Sequence, residues 1–187
     1  MSSDACPVRL TRSVHPSPVG PLIALTDGDG ALRVLEFDDR VPRLEQLLAR
    51  HYGRRTPCAI IGEAPNPDLN ARLRAYFSGD IHALDDIMVA TGGTPFQRAV
   101  WAALREIPAG STCSYGDLAH KLGSSKGSRA VGLANGSNPV CLVVPCHRVI
   151  GADGSLTGFG GGLPRKRWLL AHEATASGCG NFELALQ

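Results

Sequence analysis

No stretch of this 187-residue chain is apolar for long enough to cross a membrane. The longest apolar run near its middle, Pro139 to Cys146, has eight residues, whereas a spanning helix needs about 20. The first ten residues show no basic patch followed by an apolar run, so no secretory signal is read there and a cytoplasmic location is expected. The six cysteines (Cys6, Cys58, Cys113, Cys141, Cys146 and Cys179) include no C-x-x-C pair and no zinc-finger spacing with histidine. They read as thiols, which leaves the question of whether one of them is reactive. With 43% apolar and 19% charged residues the composition is that of an ordinary globular protein, not of a disordered one. At about 150 residues per domain the length suits one large domain or two small ones. The net charge of +2 conceals an asymmetry. Residues 1–91 carry 10 Lys/Arg against 12 Asp/Glu, and residues 92–187 carry 9 against 5, so the second half is net +4. A basic half can face a polyanion, and a solvated surface explains so small an excess about as well.

Leu22–Leu25 and Leu32–Phe37 read as two strands joined through Asp27-Gly28-Asp29-Gly30, a good hairpin loop. Val41 to Tyr52 places Leu44, Leu47 and Leu48 at helical spacing, and Leu69 to Phe77 repeats the pattern. Asp80 to Val89 reads as extended. The first half is therefore expected to be a small sheet with two helices. Ala90 to Gly93 is a plausible boundary. Beyond it Thr94 can cap a helix, with Pro95 at its first position and Gln97 completing a capping box. That helix should run to about Ile107. Ser114–Leu122 and Ser128–Asn135 follow as two short helices with a Gly/Ser turn between them, a helix-turn-helix pattern that is weak evidence of DNA binding by itself.

The segment Val143-Val144-Pro145-Cys146-His147-Arg148-Val149-Ile150 is the richest in chemistry. Neighbouring side chains of a strand point to opposite faces, so a Cys146–His147 pair needs a break in regular geometry, which Pro145 can supply, or a bridging water. From adjacency alone, a buried structural cysteine beside a backbone-bonded histidine is the simpler reading. The context shifts the balance. A glycine-rich loop, Gly158 to Gly162, leads into a helix opened by Pro164. That helix carries Glu173, the only acidic residue between Asp153 and Glu183. A carboxylate that orients a histidine that deprotonates a cysteine is the set thiol catalysis requires.

Six blocks occur in order: Thr94-Pro95-Phe96-Gln97, Ser114-Tyr115-Gly116, Arg129-Ala130-Val131-Gly132, Asn138-Pro139, Pro145-Cys146-His147-Arg148-Val149, and Gly161-Gly162-Leu163 with Trp168-Leu169-Leu170. Together they resemble the O6-alkylguanine-DNA alkyltransferases. The resemblance is strong over residues 91–173. In the first half it is loose, through Ser17-Pro18-Val19-Gly20 and Tyr76-Phe77-Ser78-Gly79.

The resemblance implies an α/β, ribonuclease H-like N-terminal domain over residues 1–90. A mostly α-helical, winged helix-turn-helix DNA-binding domain over 91–187 would follow, with 174–187 as a partly ordered tail. It implies that Cys146 accepts the alkyl group once and irreversibly, because nothing would cleave the thioether. His147 would take the thiol proton through a water, Glu173 would hold His147, and Tyr115 would protonate the departing base. Asn138 would fix the turn before the nucleophile. The target base would be flipped out through the minor groove, with Arg129 taking its place in the stack. Ser128, Ala130 and Gly132, together with Tyr115, would allow close approach to DNA. Val149, Phe159, Gly160 and Gly161 would line the base pocket. Phe159 stands where relatives usually carry Tyr, and Gly160 where some carry Ser or Ala, so a Ser contact to O6 is absent. Cys141 stands where some carry a second Pro, which bears on tolerance of bulky alkyl groups. Some relatives bind zinc in the first half. Cys6, Cys58, His15, His51 and His82 form no matching ligand set, so no metal and no cofactor are expected. The implied partner is double-stranded DNA with alkylated guanine, with O4-alkylthymine as a second candidate lesion. The chain would act as a monomer, with cooperative loading on DNA left open and no membrane involved.

Two other readings compete. A lesion-binding module that flips alkylated bases without repairing them would lack the cysteine that this chain has. A thiol hydrolase would leave the small-residue helix around Arg129 unexplained.

Overall fold

The computed structural model describes residues 7–52, 58–123 and 127–178. Strands β1 (Val8–His15), β2 (Leu22–Thr26), β3 (Leu32–Phe37) and β4 (Cys58–Glu63) form one sheet in the order β3-β2-β1-β4. Pairing is antiparallel between β1 and β2 and between β2 and β3, and parallel between β1 and β4. The β2–β3 hairpin closes where expected. Asp27 Oδ1 accepts from the amides of Asp29 (3.1 Å) and Ala31 (2.9 Å), and Oδ2 accepts from Arg33 Nε at 2.6 Å. Gly30, at φ +80°, supplies the left-handed residue the loop needs.

The central strand β2 is buried on both faces, which explains its unbroken apolar run. Leu22 and Ala24 join the main core, while Ile23 and Leu25 meet Leu10, Val34 and Leu44 of helix α1 (Val41–His51) on the other side. Helix α2 (Pro67–Phe77) is capped by Asn66, whose Oδ1 accepts from the Leu69 amide at 3.0 Å.

The segment from Asp80 to Val89 corrects an expectation, because it is not extended. Residues 81–86 form successive turns, with the amides of Ala83 and Asp85 donating to the carbonyls of Asp80 and His82, each at 3.0 Å. Ile81 and Leu84, three apart, both enter the core. That spacing suits consecutive turns, since a strand would send them to opposite faces. Only Val89 makes a strand-like bridge, to Leu32.

Helix α3 (Pro95–Arg105) opens with the expected capping box of Thr94 and Gln97. Helix α4 (Tyr115–Lys121) opens with another, formed by Ser114 and Asp117. Helix α5 (Gly127–Gly136) packs on α4 and α3. Strands β5 (Cys113–Ser114) and β6 (Val149–Ile150) make a two-residue parallel pair. Helix α6 (Leu163–Ala176) completes the fold and continues past Ala174, so the tail begins later than expected. Residues 179–187 lie outside the described ones.

One hydrophobic cluster runs through both halves. Leu35, Phe37, Leu73 and Tyr76 pack together with Val100, Trp101, Leu118 and Leu169. The first half therefore contributes directly to the ground on which the second stands. No helix among the described residues is long and apolar enough to cross a membrane.

Candidate active site

The run from Pro139 to Cys146 is apolar yet forms no strand. It advances through tight turns in which the amides of Val143 and Cys146 donate to the carbonyls of Cys141 (2.9 Å) and Val144 (2.8 Å). Leu142, at φ +69°, is the only non-glycine residue with positive φ among the described residues. A leucine held there marks a backbone fixed by its surroundings. Asn138 supplies part of that constraint. Its Nδ2 donates to the Val144 carbonyl at 2.8 Å, and its Oδ1 accepts from the Val140 amide at 2.9 Å. Pro145 then ends the segment, and Cys146–Arg148 forms one turn of 3₁₀ helix. Regular strand geometry is thus broken at Cys146 and His147.

Cys146 is buried. Burial pushes its thiol up, and Asn138 together with the Arg43 and Lys166 charges opposes that. At rest the group is a thiol and needs a base. His147, fully buried, points Nε2 at Glu173 Oε1, 3.0 Å away. Burial pulls the imidazole below its ordinary value against the pull of Glu173, so the ring is neutral at neutral pH. Nε2 faces an ionised carboxylate and must carry the hydrogen, which leaves Nδ1 as a lone pair. Nδ1 is buried with no hydrogen-bond partner among the described residues. A buried acceptor without a donor, in the residue next to a thiol that must lose a proton, has the chemistry a general base needs.

Glu173 does more than hold His147. Its Oε1 also accepts from Tyr76 Oη and Arg148 Nη2, each at 2.8 Å. Its Oε2 accepts from Arg148 Nε at 2.9 Å and from the Gly110 amide at 3.2 Å. Burial alone would raise this carboxyl, and the His147 and Arg148 contacts overcome it, holding the group far below the ordinary carboxylate range. Arg148 is anchored at its other end by the Ile107 carbonyl, 2.7 Å from Nη1.

The β5–β6 pair sets the start of α4 beside the 3₁₀ turn, pairing Cys113 with Val149 and Ser114 with Ile150. Tyr115 follows at once and lies half-buried over α5. A Cβ added at Gly132 would meet its ring at 3.7 Å. Helix α5 exposes Ser128, Arg129, Leu133 and Gly136, with Ala130 and Gly132 half-buried. Arg129 and Leu133 are four residues apart and share one face, and Leu133 is 73% exposed. Sequence reasoning passed over that exposed leucine.

The glycine loop rests on the first half of the chain. A Cβ at Gly160 would come within 2.5 Å of the Arg43 guanidinium, and one at Gly161 would overlap the Phe37 ring. A serine at 160 is therefore excluded unless Arg43 moves. Phe159 packs edge-on against both His147 and Phe37, at 6.4 Å in each case. Val149 is fully buried, and what it presents to a neighbour is its carbonyl, which accepts from Lys166 Nζ at 2.6 Å.

Two participants carried no signal in the sequence, and a third carried only a weak one. Lys166 is fully buried and also donates to the Thr157 carbonyl at 2.6 Å, so it clasps both ends of the 149–157 loop. Burial lowers its ammonium to about 8. Arg43 pairs with the buried Glu36 and donates to the carbonyls of Gly136 (2.8 Å) and Asn138 (3.3 Å), which ties α1 to the end of α5. Tyr76 was legible only as part of a short block in the first half.

Comparison with known proteins agrees with this geometry. Residues 95–175 match the model of the 6-O-methylguanine DNA methyltransferase DNA-binding domain. A methylated-DNA–protein-cysteine methyltransferase of Shigella flexneri is 48% identical over 167 residues, 89% of this chain and 96% of the relative. The chain belongs to the methylated-DNA–protein-cysteine methyltransferase family. A family member from Mycobacterium tuberculosis strain H37Rv is 54% identical over 159 residues, 84% of this chain and 88% of its own. Among solved structures, Mycobacterium tuberculosis OGT in complex with DNA superposes with a TM-score of 0.69 at 38% identity, covering 90% of this chain and 94% of that one. The methyltransferase of Pyrococcus kodakaraensis gives 0.63 at 27% identity, covering 88% and 98%. The likeness to these methyltransferases therefore extends well into the first half, where the sequence blocks were loose.

Proposed function

We propose that this chain repairs alkylated DNA by moving the alkyl group from guanine O6 to Cys146 Sγ, once per molecule. The observation that carries the reading is the buried Glu173–His147 link, whose remaining imidazole nitrogen has a lone pair and no hydrogen-bond partner among the described residues. The Cys146 proton passes to His147 Nδ1, directly or through one water, and Glu173 stabilises the imidazolium. The thiolate lone pair then forms the S–C bond while the C–O6 bond breaks with its electron pair going to guanine. Tyr115 gives its hydroxyl proton to the departing base, the phenolate regains one from solvent, and the imidazolium returns its own proton to solvent. The net result is one thioether and one restored guanine. O4-alkylthymine offers the same kind of carbon and oxygen and is a candidate second lesion.

The target atom lies inside a duplex, so the nucleotide must be extruded at a cost of a few kcal/mol. Helix α5 is suited to this task, with Arg129 and Leu133 exposed among otherwise small side chains. In this reading residues 1–90 form a ribonuclease H-like support, and residues 91–187 a winged helix-turn-helix that meets DNA through α5. Val149 supports the pocket through its carbonyl, and Phe159, Gly160 and Gly161 form its wall.

Arg129→Ala tests the reading. Repair of a duplex containing O6-methylguanine should fall about tenfold or more, because extrusion loses the side chain that fills the gap. Transfer from free O6-benzylguanine, which needs no extrusion, should stay within about twofold. Equal losses with both substrates would remove Arg129 from base replacement.

A further inference from the structure

Tyr115 can protonate a leaving group only if its own hydrogen is free to point at it. Helix α5 supplies a residue that governs this. Asn135, 3% exposed, sits three residues beyond the Gly132 face over which the Tyr115 ring lies. Its Nδ2 is 3.4 Å from the Cys146 carbonyl oxygen and 3.5 Å from Tyr115 Oη. A carbonyl oxygen only accepts, so the Asn135 group facing Cys146 must be the NH₂. The same NH₂ faces Tyr115, so its second hydrogen is donated to Oη. The phenol oxygen is then an acceptor on that side, and its own hydrogen must leave in another direction. The Thr157 hydroxyl acts in the same sense, since both it and Asn135 favour the phenolate against the effect of burial. Contacts of this length are weak at rest and are of the kind that shorten when substrate closes the site.

We propose that Asn135 is a positioning residue for leaving-group protonation, its amide tying the Tyr115 hydroxyl to the backbone of the nucleophile and turning its proton toward the departing base. This rests on the reading of Tyr115 as proton donor. The proton concerned is the one that travels from Tyr115 to guanine as the C–O6 electron pair arrives there. A purely structural Asn135 would only satisfy the Cys146 carbonyl and would act on any reaction of Cys146 alike.

Two benzyl donors separate these roles. Benzyl transfer from O6-benzylguanine needs a proton on the leaving group, and transfer from benzyl bromide does not, since bromide leaves as the anion. Modification of the peptide containing Cys146 is followed by mass in wild type, Asn135→Ala, Asn135→Asp, Tyr115→Phe and the Asn135→Ala/Tyr115→Phe double variant. Asn135→Ala should slow transfer from O6-benzylguanine about tenfold or more and leave benzyl bromide within about twofold. Asn135→Asp keeps the shape but offers Tyr115 an acceptor, which captures its proton, so it should be at least as slow with O6-benzylguanine. In the Tyr115→Phe background Asn135→Ala should add less than about twofold. Equal loss with both donors, or a full further loss in the double variant, would overturn the proposal. A Tyr115→Phe variant as fast as wild type would overturn the Tyr115 reading along with it. A slow Tyr115→Phe beside a fast Asn135→Ala would overturn the Asn135 proposal alone.

Discussion

Glu173→Ala should cost this protein both its transfer activity and about 3–5 kcal/mol of stability. The carboxylate is fully buried and accepts from His147, Tyr76, Arg148 twice and the Gly110 amide. Removing it leaves the Arg148 guanidinium buried without its counter-charge, with the Ile107 carbonyl as its remaining hydrogen-bond partner among the described residues. For a chain of this size the loss corresponds to a melting temperature lower by about 6–20 °C. Glu173→Gln separates chemistry from packing, because it keeps the shape and removes the charge. A neutral amide cannot stabilise the imidazolium that forms when His147 takes the thiol proton. Single-turnover transfer should therefore fall about 10²–10⁴-fold, with more of the fold retained than in the alanine variant. A Glu173→Gln protein that transfers at the wild-type rate would show that His147 needs no carboxylate. The pH dependence follows the same charge. The folded carboxyl titrates below its ordinary value near 4.5, so its contribution is complete above that pH and fades as acid carries the protein toward the folded value. The stability difference between wild type and Glu173→Gln that comes from this group should shrink below about pH 4.5.

Cys146→Ser should abolish transfer while sparing recognition of the lesion. A serine hydroxyl is a far weaker acid than a thiol. His147, already held below its ordinary basicity by burial, has no means to ionise it. The exchange of sulfur for oxygen changes little else. The turn that holds residue 146 is built from backbone bonds and from the Asn138 bonds to Val144 and Val140, and a serine hydroxyl can take the place of the thiol toward Asn138. Binding of a duplex carrying O6-methylguanine should stay within about threefold of wild type by gel shift or fluorescence anisotropy, since the α5 surface is untouched. Loss of binding to the same degree as loss of transfer would mean that the nucleophile also holds the lesion. The separation of the two roles would then be wrong.

Much of the fold could be read from local signals. The Asp27–Gly30 loop, the leucines of α1 and the Thr94–Gln97 capping box each satisfy a rule that acts over a few residues. What escaped was set at longer range. Strand β1 buries Ser13 and His15, which bond each other at 2.8 Å, so its inward face does not read as apolar. Strand β4 is largely exposed at the sheet edge and has no clear inner face. Residues 81–86 turn because Ile81 and Leu84 both find the core, a tertiary demand that residue type does not announce. The site divides along the same line. Cys146, His147 and Glu173 were visible through the Pro-Cys-His-Arg-Val block and the single carboxylate of the last helix, and the structure brings His147 and Glu173 within 3.0 Å. Lys166 and Arg43 were not visible, because their partners are largely backbone carbonyls, and any residue type can supply a carbonyl.

The central claim is that Cys146 takes one alkyl group and keeps it. The direct test is the intact and peptide mass of the protein after incubation with a duplex holding a single O6-methylguanine. One added methyl per protein on the peptide containing Cys146, with guanine restored in equal amount, is the result expected. A restored lesion without methyl on that peptide, or more lesions restored than protein present, would contradict the account.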